Sequence, residues 1–340
     1  ETFVRYQEYY QKTPKVIEGA LSARKVEKVS AGYCFTVAVD SMGQTFAWGF
    51  NDKGQLGLGH RFNQEEPRHV KALADEYVTD LACGSSHTVV ITRRALFSWG
   101  MGVFGQLGHG NARDSLLPLP VIGFERMDDT WRVTAVSCGT HHSMALLHSG
   151  EVYTWGHGEY GQHGGTQDHV DWGAGALGGE DDDEGKGAHY HAVPRKLAGL
   201  EEGAAFVAAG SLHNCIITEA GTCLTFGYGA NGCLGHGNTR DKLIPTLVET
   251  LKGFPMERAA CGWKHTLFLQ KPSSAAFAFA FGPLVGAPEY ADIILAADGR
   301  ELLCHRAVLF SRCPRLRAMA AFEGRFTEPQ EGDLPRVDIS

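Results

Sequence analysis

The stretch from Cys83 to Asn111, CGSSHTVVITRRALFSWGMGVFGQLGHGN, decides how the rest of the chain is read. It is one copy of a unit that recurs with its landmarks in register. A small residue followed by glycine opens each copy: Ala31-Gly32, Cys83-Gly84, Cys138-Gly139, Ala209-Gly210 and Cys261-Gly262. The steps between those glycines are 52, 55, 71 and 52 residues. Three residues past each glycine sits a ring: Phe35, His87, His142, His213, His265. An aromatic–glycine pair follows at Trp48-Gly49, Trp99-Gly100, Trp155-Gly156, Phe226-Gly227 and, more weakly, Phe281-Gly282. Then comes a second glycine cluster, GQLG from Gly54, GQLG from Gly105, GQHG from Gly161 and GCLG from Gly232, and a proline at 67, 118, 194 and 245.

Within each copy the apolar runs are short and rich in β-branched and aromatic residues, as in HTVVIT and ALFSW, which marks strands. Ser41-Met42-Gly43, Ser149-Gly150 and Ala220-Gly221 supply turn chemistry between the first two runs, so these form a hairpin. Further runs are expected at Val70 to Leu73 and at Tyr77 to Ala82. About four strands in a unit of about 50 residues is the pattern of a β-propeller blade. One blade cannot bury both faces, so successive blades must stack.

The string G-x-x-H-[TS] … W-G-x-x-x-x-G-Q-L-G-x-G resembles the repeat of the regulator-of-chromosome-condensation family, over residues 14 to about 282. Kelch and WD repeats of similar length lack the pairing of Trp-Gly with Gly-Gln-Leu-Gly. The resemblance implies an all-β propeller that usually closes with seven blades, which would need roughly 350 residues at this period. About five units are visible. The ring is therefore open as given, smaller than usual, or completed by upstream sequence; Glu1 in place of an initiating Met favours a fragment. Residues 1–13 read as a lead-in or the remnant of an upstream blade.

Composition sets the bounds. With a net charge of −8, wholesale phosphate binding is not expected, and no nucleic-acid partner is assigned. Nine cysteines without a C-x-x-C pair fit a reducing compartment, cytoplasm or nucleus. Cys83, Cys138 and Cys261 share one repeat position with Ala31 and Ala209, so they read as small packing residues rather than ligands. The longest apolar run, Ala275 to Ala287, is too short for a membrane span, which needs about 20 residues.

Several motifs suggest chemistry and are absorbed by the repeat. G-x-G-x-x-G occurs at Gly100-Gly102-Gly105, Gly156-Gly158-Gly161 and Gly227-Gly229-Gly232, but it runs into more glycine and then proline instead of opening a helix. The ring-position histidines occur once per unit, and a hydrogen bond within the own blade is a better reading than a shared metal. His60, His109 and His236 follow the glycine clusters and are expected at the surface. No Ser-His-Asp or Cys-His set assembles by spacing, so no catalytic residue, metal or cofactor is assigned. The 71-residue step comes from a Gly-rich acidic insertion at about 165–190, with EDDDE at Glu180 to Glu184. Its consecutive acids favour a solvated surface loop over an ion or partner site.

The loops before the second glycine cluster vary between units while the glycines do not. Asp52, Lys53, Val103, Phe104, Glu159 and Tyr160 are therefore the candidate protein-binding residues.

After a linker at 283–289 the chain changes character. YADIILAADGRELLCHRAVLFSRCPRLRAMAA, from Tyr290, reads as strand, turn at Asp298-Gly299, strand, then helix over Arg306 to Ala320 with a break at Pro314. Val337 to Ser340 reads as a further strand. The segment 290–340 resembles the first half of a BTB/POZ domain. That resemblance implies self-association, recruitment of a cullin scaffold, and a buried pair of Asp292 with Arg306 beside the dimer interface. From the residues alone, a surface acid and a helix-start base serve equally. The leading expectation is a substrate-recognition propeller joined to a BTB adaptor of a cullin ubiquitin ligase. The alternatives are guanine-nucleotide exchange on a small GTPase, and a scaffold or trafficking role with neither activity.

Overall fold

The computed structural model describes residues 13–128, 131–165 and 190–271, and the backbone of 293–297, 300–304, 326–327 and 336–338. The chain divides into two compact units, Glu1–Lys271 and Pro272–Ser340.

The first unit is a series of antiparallel sheets. The first sheet holds β1 (Val26–Ala31), β2 (Phe35–Asp40), β3 (Thr45–Gly49) and β4 (Gln64–His69) in that order. The second holds β5 (Val78–Cys83), β6 (His87–Thr92), β7 (Leu96–Gly100) and β8 (Ser115–Pro120). The third holds β9 (Val133–Cys138), β10 (His142–Leu147), β11 (Val152–His157) and β12 (Tyr190–Lys196). The fourth holds β13 (Ala204–Ala209), β14 (His213–Thr218), β15 (Cys223–Gly227) and β16 (Lys242–Leu247). The fifth consists, among the described residues, of β17 (Met256–Cys261) and β18 (Thr266–Gln270). Each sheet thus begins with the strand that leads into the small–glycine pair, so the sequence unit and the sheet are offset by one strand.

The core lies between the sheets. One cluster joins Val37, Val39 and Leu56 of the first sheet to Leu81, Val90 and Trp99 of the second, and equivalent clusters fill the next three junctions. Because both faces of a sheet are covered, β6, β10 and β14 are buried at every position and show no polar alternation. The periphery of the series shows what stacking achieves. Val29 of β1 is 66% exposed where its counterpart Leu81 is 8% exposed, and Leu267 of β18 is 64% exposed where Val89 is fully buried. Burial of such a side chain is worth about 1.5–3 kcal/mol.

Pro67, Pro118, Pro194 and Pro245 sit inside the fourth strands. Those strands pair on one side only, so a missing N–H costs no ladder bond. Val70 to Leu73 is not a strand: Lys71–Leu73 is a 3-10 turn that tucks Val70 and Leu73 into the core. In each of these four sheets the pairing of third and fourth strands slips at Trp48, Trp99, Trp155 or Phe226; Trp99, Trp155 and Phe226 turn into the junctions, and Trp48 packs against Leu21, Ala38 and Phe46.

In the second unit β19 (Ile293–Ala297) pairs antiparallel with β20 (Arg300–Cys304), from Ala297 opposite Arg300, which is the hairpin expected around Asp298-Gly299. β22 (Arg336–Asp338) runs parallel to β19 and antiparallel to β21 (Phe326–Thr327). The expected helix over Arg306 to Ala320, the Asp292 and Arg306 pair, the lead-in over 1–12, the insertion over 166–189 and the degenerate strand through Phe281-Gly282 lie outside the described residues. Among the described residues no helix is long and apolar enough to cross a membrane.

Candidate functional site

Strands alternate in direction, so the first-to-second and third-to-fourth strand loops of every sheet emerge at the same end. This loop face is built on a chain of contacts that crosses each junction. The ring three residues past the glycine occupies the space a glycine Cβ would need: a Cβ on Gly84 would meet His87 Cε1 at 2.1 Å, and one on Gly139 would meet His142 Cε1 at 2.1 Å. The same atoms would also meet the next sheet's glycine carbonyl, Gly139 O at 2.6 Å and Gly210 O at 2.5 Å. The small–glycine pairs therefore gather, sheet after sheet, around a cavity of about 570 Å³ lined by Cys83, Cys138, Gly139, Gly210 and Cys261. Burial pushes the Cys83 thiol up to about 12 and keeps it protonated. Among the described residues no group of three or more His, Cys, Asp or Glu could hold a metal, and the seven cysteines there are all free.

The ring histidines bond across the junction, not within their own blade as the sequence reading had it. His142 Nε2 donates to Asn214 Oδ1 at 2.8 Å, and Asn214 Nδ2 donates to Gln162 O at 2.9 Å. His87 Nε2 lies 3.0 Å from Ser143 Oγ, whose proton goes to Gln106 O at 2.9 Å. His213 and Thr266 repeat the pair at 2.9 Å, with Thr266 Oγ1 on Cys233 O at 2.8 Å. The residue after each ring thus ties the preceding sheet's histidine to the preceding sheet's loop. Burial lowers His87 to about 3 and His142 to about 4, so both stay neutral.

The same loop carbonyl takes the tryptophan. Trp99 Nε1 donates to Gln55 O and Trp155 Nε1 to Gln106 O, each at 2.8 Å. This is why Trp-Gly and Gly-Gln-Leu-Gly travel together in the sequence: each Trp reads the glutamine of the preceding unit. The glutamine side chains in turn hold the loop tips. Gln55, Gln106 and Gln162 Oε1 each accept, at 2.9 Å, from the backbone N–H of Lys53, Phe104 and Tyr160. His109 and His236 are half-buried rather than exposed, drawn in by Ser98 Oγ at 2.8 Å and Thr225 Oγ1 at 3.0 Å, and His60 is half-buried too.

On this frame an aromatic ridge crosses three sheets. Phe104 lies 4.8 Å from His141 and 5.0 Å from His157, ring centre to ring centre. His157 lies 6.3 Å from Tyr160, and Tyr160 lies 4.8 Å from Tyr228. All five residues are half-buried, and Val103 and Glu159 beside them are exposed. Of the six candidates from the sequence, Phe104, Tyr160, Val103 and Glu159 are brought together here. Asp52 and Lys53 stand on the first sheet's loop, outside the ridge; Lys53 is half-buried and Asp52 O is bonded by Arg61 at 2.6 Å. His141, His157 and Tyr228 were missed. Each occupies a fixed column of the repeat, just before the ring position or just after the aromatic–glycine pair, and a column-by-column alignment of the units exposes them. Within the ridge His157 Nε2 lies 3.5 Å from Glu159 Oε2, so one imidazole and one carboxylate are paired beside the rings.

Comparison with known proteins agrees with this geometry. The family model of the RCC1-like domain matches residues 3–274. The chain is 34% identical over 247 residues to the ultraviolet-B receptor UVR8 of Arabidopsis thaliana, covering 72% of the chain and 51% of that protein. It is 33% identical over 258 residues to the E3 ubiquitin-protein ligase HERC2 of Homo sapiens, covering 75% of the chain and 5% of that protein. Among solved structures, Prp20p of Saccharomyces cerevisiae superposes with a TM-score of 0.66 at 23% identity, covering 80% of the chain and 62% of Prp20p. The chain spans about half the length of UVR8 and a small part of HERC2. With its offset four-stranded sheets, its tryptophan-to-glutamine contacts and this match, the chain belongs to the RCC1-like domain family of β-propellers.

Proposed function

We propose that the loop face is a protein-recognition surface and that the chain selects substrates for a ubiquitin ligase, with no chemistry of its own. The aromatic ridge from Phe104 to Tyr228 carries the first part. Interface cores are enriched in such rings, and these pack on one another, so less side-chain freedom is lost on binding. The second part is supported by the similarity to HERC2, named an E3 ubiquitin-protein ligase, and by the BTB/POZ resemblance of 290–340. In this reading the BTB segment joins a cullin scaffold and the propeller presents the substrate.

A second reading, nucleotide exchange on a small GTPase, is supported by the fold match to Prp20p, whose structure was described with its binding to Gsp1p and histones. The two separate in one experiment. The full chain is incubated with small GTPases loaded with fluorescent GDP and, separately, with immobilised cullin. Retention on cullin without faster GDP release is expected. Faster GDP release without retention overturns the ligase reading in favour of exchange.

A further inference from the structure

The first and third junctions are built alike. In the first, Gly54 seats on the fourth strand of the second sheet, where a Cβ would lie 2.9 Å from Leu116 Cα. In the third, Gly161 seats on the fourth strand of the fourth sheet, where a Cβ would lie 2.6 Å from Leu243 Cα. Asp52-Lys53-Gly54 therefore corresponds to Glu159-Tyr160-Gly161, and Asp114 to Asp241. Both aspartates brace their own loop with one oxygen: Asp114 Oδ1 accepts from Gly102 N at 3.1 Å and Asp241 Oδ1 from Gly229 N at 2.7 Å. In the second junction the matching residue is Tyr190, so the acid is particular to these two places.

The junctions differ in their cations. In the first, Arg61 lies across the seam, with Nη2 3.1 Å from Asp114 Oδ2 and Nη1 2.6 Å from Asp52 O. In the third, the residue at the same distance past the glycine is Asp168, and no arginine occurs between Gly164 and His191. Among the described residues Asp241 forms no ion pair, and it is exposed. In place of the cation Lys53 stands the Tyr160 ring, packed at 62° on Tyr228 and next to Glu159. Burial first, then the neighbouring Glu159 and Asp241 carboxylates, push the Tyr160 hydroxyl above its ordinary range.

We propose that an arginine of the protein partner takes this place, its guanidinium on Asp241 and Glu159 and its plane against Tyr160 and Tyr228. The inference rests on the loop face being the recognition surface. Arginine is favoured over lysine because its planar fork can meet a carboxylate with two donors and stack on rings, and because the chain itself uses arginine at the sister junction.

The test is a random peptide library displayed on phage and selected on the immobilised full chain. Its best binders are then measured by calorimetry on wild type, Asp241→Asn and Tyr160→Ala. Asp241→Asn keeps the loop brace, since Asn63 Oδ1 serves the same bond to Asn51 N at 2.9 Å in the first sheet. Arginine-enriched binders are expected, weakened at least tenfold by Asp241→Asn and equally by replacing the peptide arginine with citrulline. Binders that Tyr160→Ala weakens but that tolerate citrulline and Asp241→Asn overturn the arginine inference and leave the recognition surface standing. Binders indifferent to all these changes overturn both.

Discussion

His142 of the third sheet and Asn214 of the fourth share a hydrogen bond of 2.8 Å, and Asn214 passes the connection to the Gln162 carbonyl of the third sheet's loop at 2.9 Å. One amide thus fixes both the stacking of two sheets and the base of a loop on the loop face. Replacing Asn214 by alanine leaves a buried imidazole N–H and a buried carbonyl unpaired. A loss of about 3 kcal/mol is expected, read by urea unfolding.

Stability should fall in mildly acidic solution. His87 and His142 have folded values of about 3 and about 4, below the ordinary 6.5. Between those values and 6.5 the unfolded chain binds the proton and the folded chain does not, so stability present above pH 6.5 is lost as pH falls towards 4. Each group contributes up to about 1.4 kcal/mol per pH unit in that window. Unfolding midpoints from pH 7 to 5 should show this slope, and His142→Gln, whose amide can still donate to Asn214, should make it shallower.

Two glycines should respond very differently to alanine. At Gly139 the added Cβ would meet the His142 ring at 2.1 Å and Gly210 O at 2.5 Å, and neither can retreat without parting two sheets. Gly139→Ala should cost about 3 kcal/mol or more. Gly123 has a φ of +83° and nothing within 4 Å, so Gly123→Ala should cost only the conformational strain, about 1–2 kcal/mol. Thermal unfolding of the two variants side by side measures the difference.

Trp155→Phe removes the Nε1–H that bonds Gln106 O at 2.8 Å but leaves Ser143 on the same carbonyl. The fourth sheet already makes this exchange, with Phe226 in the Trp position and Asn214 serving Gln162 O. The cost in urea unfolding should be about 1 kcal/mol, well below that of Asn214→Ala.

The fold was legible in the sequence because its repeat repeats its reasons. Gly84 and His87 stand three apart since the ring fills the glycine's missing side chain, a local relation that pattern reading captures. The cross-junction partners were not legible. Trp99 and Gln55 are 44 residues apart, and His142 and Asn214 are 72, so nothing local says that a ring points forward into the next sheet. Pro67 likewise looks like a breaker until β4 is seen to pair on one side only. At the site, Phe104 and Tyr160 stood out because loop tips vary. His157 and Tyr228 stand beside repeating glycines and were missed.

The central claim is that the loop face, and not the opposite end of the sheets, does the recognising. Full-length chain is purified from cells with its bound proteins, which are identified by mass spectrometry. The triple variant Phe104→Ala, Tyr160→Ala, Tyr228→Ala is compared with Met42→Arg, a change at the tip of the β2–β3 hairpin, where Met42 is 69% exposed, and circular dichroism confirms that both fold. The triple variant should lose the specific partners while Met42→Arg keeps them; partners retained by the triple variant and lost with Met42→Arg would contradict the account.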